Sequence, residues 1–312
     1  MSTQLFRYEN WGVGVFSANI NMALEEFLIQ RVAQERAEKH LATVRFYSFS
    51  HDSIVLGYGQ DLDVIRQLDS KVELTRRITG GSHIQTGPNM IAYSFVVPRD
   101  GTFNTYEELR AYYAGSVARA LQKIGIGNPV VDNQASTINV NGRVIASHAL
   151  WWGVKSALLH GLIMLSPYDV DAIASRVLLK KRIIDNKVYS EYLTLKNLPT
   201  VSTELRARRS APSLKHRILY DVVSRAILEE VAGDTYTNQS INKSVINKSL
   251  EFLTQRYGVS QWTQKHTPTF TREEVEEIPG EELAGPLKKN LGYCLFIQVR
   301  DEDFKQMSDP LG

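Results

Sequence analysis

One run of this chain, Met90-Ile91-Ala92-Tyr93-Ser94-Phe95-Val96-Val97, is almost wholly apolar and ends at Pro98. It has the length and composition of a buried strand, and the proline stops it by removing a ladder donor. Helical faces lie on either side of it in the sequence. Residues 17–40 place Met22, Ala23, Leu24, Phe27, Leu28 and Val32 near one face, with Ser17, Asn19 or Asn21 as a cap. Thr105-x-x-Glu108 is a capping box; Leu109, Tyr113, Val117, Leu121 and Ile124 follow at helical spacing until Gly125 and Gly127.

Residues 43–50, 53–57 and 74–81 read as strands, the last leading into a glycine turn, and residues 136–149 and 157–165 as an antiparallel pair. Residues 169–179, 213–231 and 249–257 read as helices. Strands and helices are interspersed without strict βαβ alternation. The expected class is α+β, a mixed and largely antiparallel sheet with flanking helices. The Asn/Ser/Thr-rich stretch around Asn238 divides a large domain, residues 1–235, from a small C-terminal segment, residues 249–312, through a linker at 236–248. That segment carries an acidic stretch at 273–277 and one strand at 293–299.

Composition excludes several classes. With 36 basic and 34 acidic residues the net charge is +2, which argues against a nucleic-acid or membrane-surface partner. Cys294 is the single cysteine, so no intrachain disulfide and no cysteine zinc site can form. No apolar run reaches the roughly 18 residues of a spanning helix, and residues 1–10 lack a signal-peptide core. A cytoplasmic protein is expected.

Arg76-Arg77-Ile78-Thr79-Gly80-Gly81 is the most informative short string. Paired glycines let the backbone approach an anion closely, and an arginine fork matches carboxylate or phosphate. The plain alternative is a glycine turn with exposed arginines. The order of strings around it adds weight. Asn21-Met22-Ala23-Leu24-Glu25-Glu26, Arg45-Phe46-Tyr47 and Val55-Leu56-Gly57 with Gln60 precede it. Tyr93-Ser94-Phe95, Val140-Asn141-Gly142-Arg143 and His160-Gly161 follow. This ordered set resembles the family of lipoate–protein ligases, octanoyltransferases and biotin ligases, most closely its lipoate and octanoate branch. The resemblance covers residues 19–165, with a weaker echo at Arg256-Tyr257-Gly258 and Gln261-Trp262.

The resemblance implies a pocket for a lipoyl or octanoyl group, or its acyl-adenylate. Arg76, Arg77, Gly80, Gly81, Ser82 and His83 would form the cradling loop. Tyr93 and Ser94 would lie behind it, and Ser147, His148, His160 and Gly161 would form the far wall. It further implies ATP and magnesium as cofactors for an active enzyme. The partner would be a lipoyl-domain-type acceptor or another lipoylation subunit.

The chain departs from the family where the chemistry is done. Ser82 stands in place of the family's third loop glycine, and Ser136-Thr137 in place of an Asn-Asp pair whose aspartate would help hold magnesium. The family's lysine falls on Val144. A buried cation at a developing oxyanion contributes about 2–4 kcal/mol, and valine contributes none. Arg143 is one residue off, on the opposite face of a strand; Lys155 and His148 are the other candidate replacements. Cys294, the only possible thiol nucleophile, lies far from the motifs. His83 and His148 could contact a ligand, act as acid and base, or pair with His160 at a metal, although no metal-ligand spacing supports a site. Trp151-Trp152 is a packed turn or an aromatic wall for an acyl chain, and the basic clusters at 180–182 and 206–209 are solvated faces or docking points for an acidic carrier. Three activities remain open: an acyl enzyme with altered catalytic residues, a catalytically inactive binding subunit or regulator, and a different enzyme using His83 or His148.

Overall fold

The computed structural model describes residues 5–35, 40–68, 71–179, 181–184, 187–190, 196–207 and 216–265. Its centre is an eight-stranded sheet. In chain order the strands are β1 (Arg7–Phe16), β2 (Leu41–Phe49), β6 (Met90–Pro98), β7 (Val130–Asp132), β8 (Thr137–Val140), β9 (Arg143–Trp152), β10 (Ser156–Met164) and β13 (Tyr236–Asn238). They are arranged β13-β1-β2-β6-β10-β9-β8-β7. β1 runs parallel to both neighbours, and every other pairing is antiparallel. A smaller sheet holds β3 (Ser53–Leu56) between β4 (Glu73–Arg76) and β5 (Ile84–Thr86). A separate hairpin pairs β11 (Lys181–Ile184) with β12 (Lys187–Ser190).

All nine residues of β6 are buried, because helices cover both faces of the large sheet. Ile91, Tyr93, Phe95 and Val97 face α2 (Tyr106–Lys123) and a later helix, His216–Ala232. The ring of Phe95 stacks on that of Tyr113, 4.5 Å away and 14° from parallel. Val96 faces the other way, onto Leu28, Ile29 and Val32 of α1 (Ala18–Glu35). Each such apolar side chain contributes about 1.5–3 kcal/mol on burial.

α1 is started by a partner distant in sequence. The Glu73 carboxylate accepts the first N–H groups of the helix, from Ala18 at 2.6 Å and Asn19 at 3.1 Å, where a negative charge also suits the helix dipole. Ser17 adds a long contact of 3.4 Å from Ile20 N–H, and Asn21 uses its side chain elsewhere. Half of the capping box forms as expected, Thr105 accepting from Glu108 N–H, whereas the Glu108 carboxylate accepts from Asn104 N–H, one residue before the cap.

Three readings differ from the structure. The strand expected over 136–149 is two strands, β8 and β9, joined by Asn141-Gly142; both residues have positive φ, 51° and 72°, the geometry of a two-residue hairpin turn. β9 also carries a bulge, since Ile138 pairs with Ala146 but Asn139 with Val144. Residues 236–248 hold β13 and the start of a helix, Lys243–Phe252, rather than a free connection; Ile241 and Val245 pack against Trp11 and Phe16. β1 was not anticipated at all. The acidic stretch at 273–277, the strand at 293–299 and Cys294 lie outside the described residues. Among the described residues no helix is long and apolar enough to cross a membrane.

The remaining helices are α3 (Val170–Arg176), α4 (Val201–Ala207), α5 (His216–Ala232), α6 (Lys243–Phe252) with a π-helical turn at Leu253–Tyr257, and α7 (Ser260–Lys265). Arg76 fastens α7 to the body. Its guanidinium, fully buried, donates to the carbonyls of Gly57, Tyr58, Gln60, Trp262 and Thr263, and the Trp262 indole N–H returns a bond to Arg76 O. Arg76→Lys replaces a five-donor fork by a point charge and leaves carbonyls unpaired. It should cost about 3 kcal/mol in urea denaturation and raise amide exchange first in residues 253–265.

Candidate functional site

The glycine-rich loop leaves β4 at Arg76 and turns back into β5. Gly57 makes this possible, because a Cβ there would lie 1.8 Å from Gly81 O, and Gly81 itself has φ +94°. Arg77 holds the loop from inside. Its Nε donates to Thr79 Oγ1 at 2.9 Å, and its other nitrogens donate to the carbonyls of Val55, Gly80 and Ser82. Burial pulls its pKa down to about 10.

A buried polar chain connects this loop to the sheet and to α1. Thr79 Oγ1 meets His160 Nε2 at 2.7 Å, His160 Nδ1 donates to Glu25 Oε2 at 2.7 Å, and Glu25 Oε1 accepts from the Tyr47 hydroxyl at 2.6 Å. With Nδ1 as the donor to Glu25, Nε2 faces the Thr79 hydroxyl, whose oxygen accepts from Arg77. Behind Tyr47, the buried Arg45 guanidinium lies 4.2 Å from its ring centre and donates to Asn21 Oδ1. Gly161 is required beside His160: a Cβ would lie 2.3 Å from the hydroxyl of Tyr93, its cross-strand neighbour.

A cavity lined by Tyr47 and His160 opens at this chain, and a second cavity adjoins it. The larger, about 490 Å³, has an apolar wall of Met22, Phe49, Val55, Leu150 and Leu162 and a polar wall that includes Arg77, Arg110, Ser136, His148 and His160. The smaller, about 300 Å³, is mostly apolar, with Val144, Met164, Tyr168, Ile173 and Val177 among its lining. Ser82, Ile84, Ser147 and Leu162 belong to both.

The structure brings Arg77, Gly80, Gly81, Ser82, Ser147, His148, His160 and Gly161 to the larger cavity, and Ser82, His83, Val144 and Ser147 to the smaller one. His83 is hydrogen-bonded to Gln60 at 2.9 Å. Arg76, Tyr93 and Ser94 are buried behind the cavities and line neither. Arg143 is exposed and donates to Asn197 O; Lys155 is exposed in the β9–β10 turn, eleven positions from Val144, so neither supplies a cation there. Trp151 and Trp152 line neither cavity, and Trp152 carries the Arg99 guanidinium 4.3 Å from its ring centre. The side chains of the clusters at 180–182 and 206–209 fall outside those described.

Sequence reading missed Glu25, Tyr47 and Thr79 as site residues, and Arg110 entirely. A glutamate set among the apolar residues of an amphipathic helix was the available signal for Glu25. Nothing local marks Arg110, which reaches the cavity from α2.

No carboxylate lines either cavity, and among the described residues no three His, Cys, Asp or Glu side chains are placed to hold a metal. A magnesium ion would find only hydroxyls and carbonyls here, so the residues do not fit it.

His148 is 7% exposed, and neither ring nitrogen has a hydrogen-bond partner. Burial, with Arg110 and His160 nearby, pushes its pKa down to about 4. The folded state therefore binds fewer protons than the unfolded one. Stability from this residue is complete above about pH 6.5 and is lost as pH falls towards 4, by on the order of 3 kcal/mol. Denaturation curves of wild type and His148→Gln should diverge over that window. Glu25→Ala strands the Tyr47 hydroxyl and His160 Nδ1 in the core. It should lower stability by about 3 kcal/mol in the same assay, with Glu25→Gln losing less.

The match to known proteins agrees with this architecture. The model of the lipoyl protein ligase A/B catalytic domain matches residues 17–218, and the chain belongs to that family. "Probable lipoate-protein ligase A" of Mycoplasma genitalium is 25% identical over 203 residues, 57% of this chain and only 57% of that relative. A bi-partite lipoate protein ligase from Thermoplasma acidophilum, solved in a study of that ligase and its E2 lipoyl domain, superposes with a TM-score of 0.66 at 14% identity. That superposition covers 86% of this chain and 100% of the other. LipL1 of P. falciparum, in complex with lipoate, gives 0.60 at 14% identity over 85% of this chain and 76% of its own. The two structures share the fold.

Proposed function

We propose that this chain binds a lipoyl or octanoyl group, or the corresponding acyl-adenylate, in the larger cavity, and that it does so with altered catalytic residues. The observation that carries the reading is the cavity itself. Met22, Phe49, Val55, Leu150 and Leu162 share the cavity with the Arg77–Ser82 loop and the His160-Gly161 strand, and its volume suits a small ligand. The P. falciparum relative in complex with lipoate supports the ligand class, and the T. acidophilum ligase with its lipoyl domain supports a lipoyl-domain-type acceptor or another lipoylation subunit as partner.

A second reading, a binding subunit or regulator without catalysis, is favoured by one further observation. Neither cavity is lined by a lysine or a carboxylate, and Val144 presents a hydrocarbon in the smaller one. Magnesium would lack a carboxylate ligand, and the position of the family's lysine offers no cation.

Titration calorimetry with octanoate and lipoate tests the binding; silence with both at millimolar concentration removes the acyl reading. Pyrophosphate exchange separates the two readings. The wild-type chain should form no detectable lipoyl-AMP, and Val144→Lys alone should gain little. Val144→Lys with Thr137→Asp and Ser82→Gly should gain more than the single changes combined, because such groups act as one unit. Robust exchange by the unmodified protein would establish catalysis and remove the second reading.

A further inference from the structure

We propose that Arg110, with Ser136 and His148 beside it, receives the oxyanion of the acyl ligand directly, without a metal ion. The inference deepens the acyl-binding reading and rests on it.

The polar wall of the larger cavity has two arginines, and only one is uncommitted. Arg77 spends its fork on Thr79 Oγ1 and on the carbonyls of Val55, Gly80 and Ser82. Arg110 makes one long contact, 3.4 Å from Nη1 to Ser136 Oγ, and its buried Nε has no partner. Its guanidinium lies 5.9 Å from the Tyr106 ring centre. Glu107, close enough to feel this charge, is fully exposed on the same helix.

Ser136 gathers the other groups. Its backbone is left-handed, with φ +55°, and its carbonyl accepts from His148 N–H at 3.0 Å. The His148 ring then lines the cavity, 93% buried, with both nitrogens unbonded. A buried imidazole and a buried guanidinium nitrogen without partners are costly unless a ligand completes them. No carboxylate lines the cavity to do so from within. An oxyanion would take paired donors from Arg110 and a further one from His148 or Ser136. The apolar residues opposite, Met22, Phe49, Val55 and Leu162, leave room for the hydrocarbon chain attached to it.

The test is calorimetry on the full chain with octanoate, octyl phosphate and octan-1-ol, in buffer with and without EDTA. Arg110→Met keeps an unbranched side chain without the guanidinium, and Arg110→Lys keeps the charge. Arg110→Met should weaken octanoate binding at least tenfold and leave octan-1-ol unchanged. Arg110→Lys should recover part of the loss, and EDTA should change nothing. Loss for octyl phosphate alongside octanoate would show that the same residue also receives a phosphoryl oxyanion and supports the proposal. Equal loss for octan-1-ol, or octanoate binding indifferent to Arg110, overturns the proposal while the acyl reading stands. Wild-type protein that binds none of the three removes both.

Discussion

The His160–Glu25 contact joins three parts of the molecule that sequence keeps far apart. Glu25 comes from α1, His160 from the fifth strand across the large sheet, and Thr79 from the glycine loop. Each group is buried, and each has its polar atoms met by the next. In a low-dielectric interior this is a strongly conditional arrangement. Complete, it sets the spacing of helix, sheet and loop; incomplete, it leaves a polar group costing as much as a sizeable part of a domain's net stability. Tyr47 and His160 of this chain line the larger cavity, so cavity wall and core packing are not separate structures here.

The arginines beside the glycines illustrate the same economy. A loop that folds inward brings its carbonyl oxygens away from water, and they must find donors. Arg76 and Arg77 supply most of them, one facing α7 and the other facing the loop itself. Guanidinium suits this role because its donors diverge in one plane. The residue type that a motif offers for an anion is thus used here on backbone oxygens, while a helix arginine outside the motif lies open in the cavity.

Much of the fold was legible because period and length speak locally. The β6 run, the α1 and α2 faces and the Thr105 cap depend on neighbours a few residues away. What failed depended on distant partners. β1 reads as polar at Tyr8-Glu9-Asn10, yet Glu9 is buried under Arg31, Trp11 and Gln239, the last 230 positions away. The stretch near Asn238 looked like a linker because asparagines there are caps and edge partners: Asn238 bonds Asn10, and Asn242 caps α6. In the site, the family strings located the loop and the far wall, but the direction of Arg76 and the arrival of Arg110 from α2 are properties of tertiary packing alone.

The bulge in β9 sets how this chain could change over generations. Side chains on a strand swap sides at each step, and the extra residue near Ile145 already offsets that count by one. Losing the codon for Ile145 would leave Ala146, Val144 and Arg143 opposite consecutive residues of β8, with Val140 and Arg143 still paired across the turn. Arg143 would keep its own side of the strand, and the smaller cavity would gain no charge by such a loss.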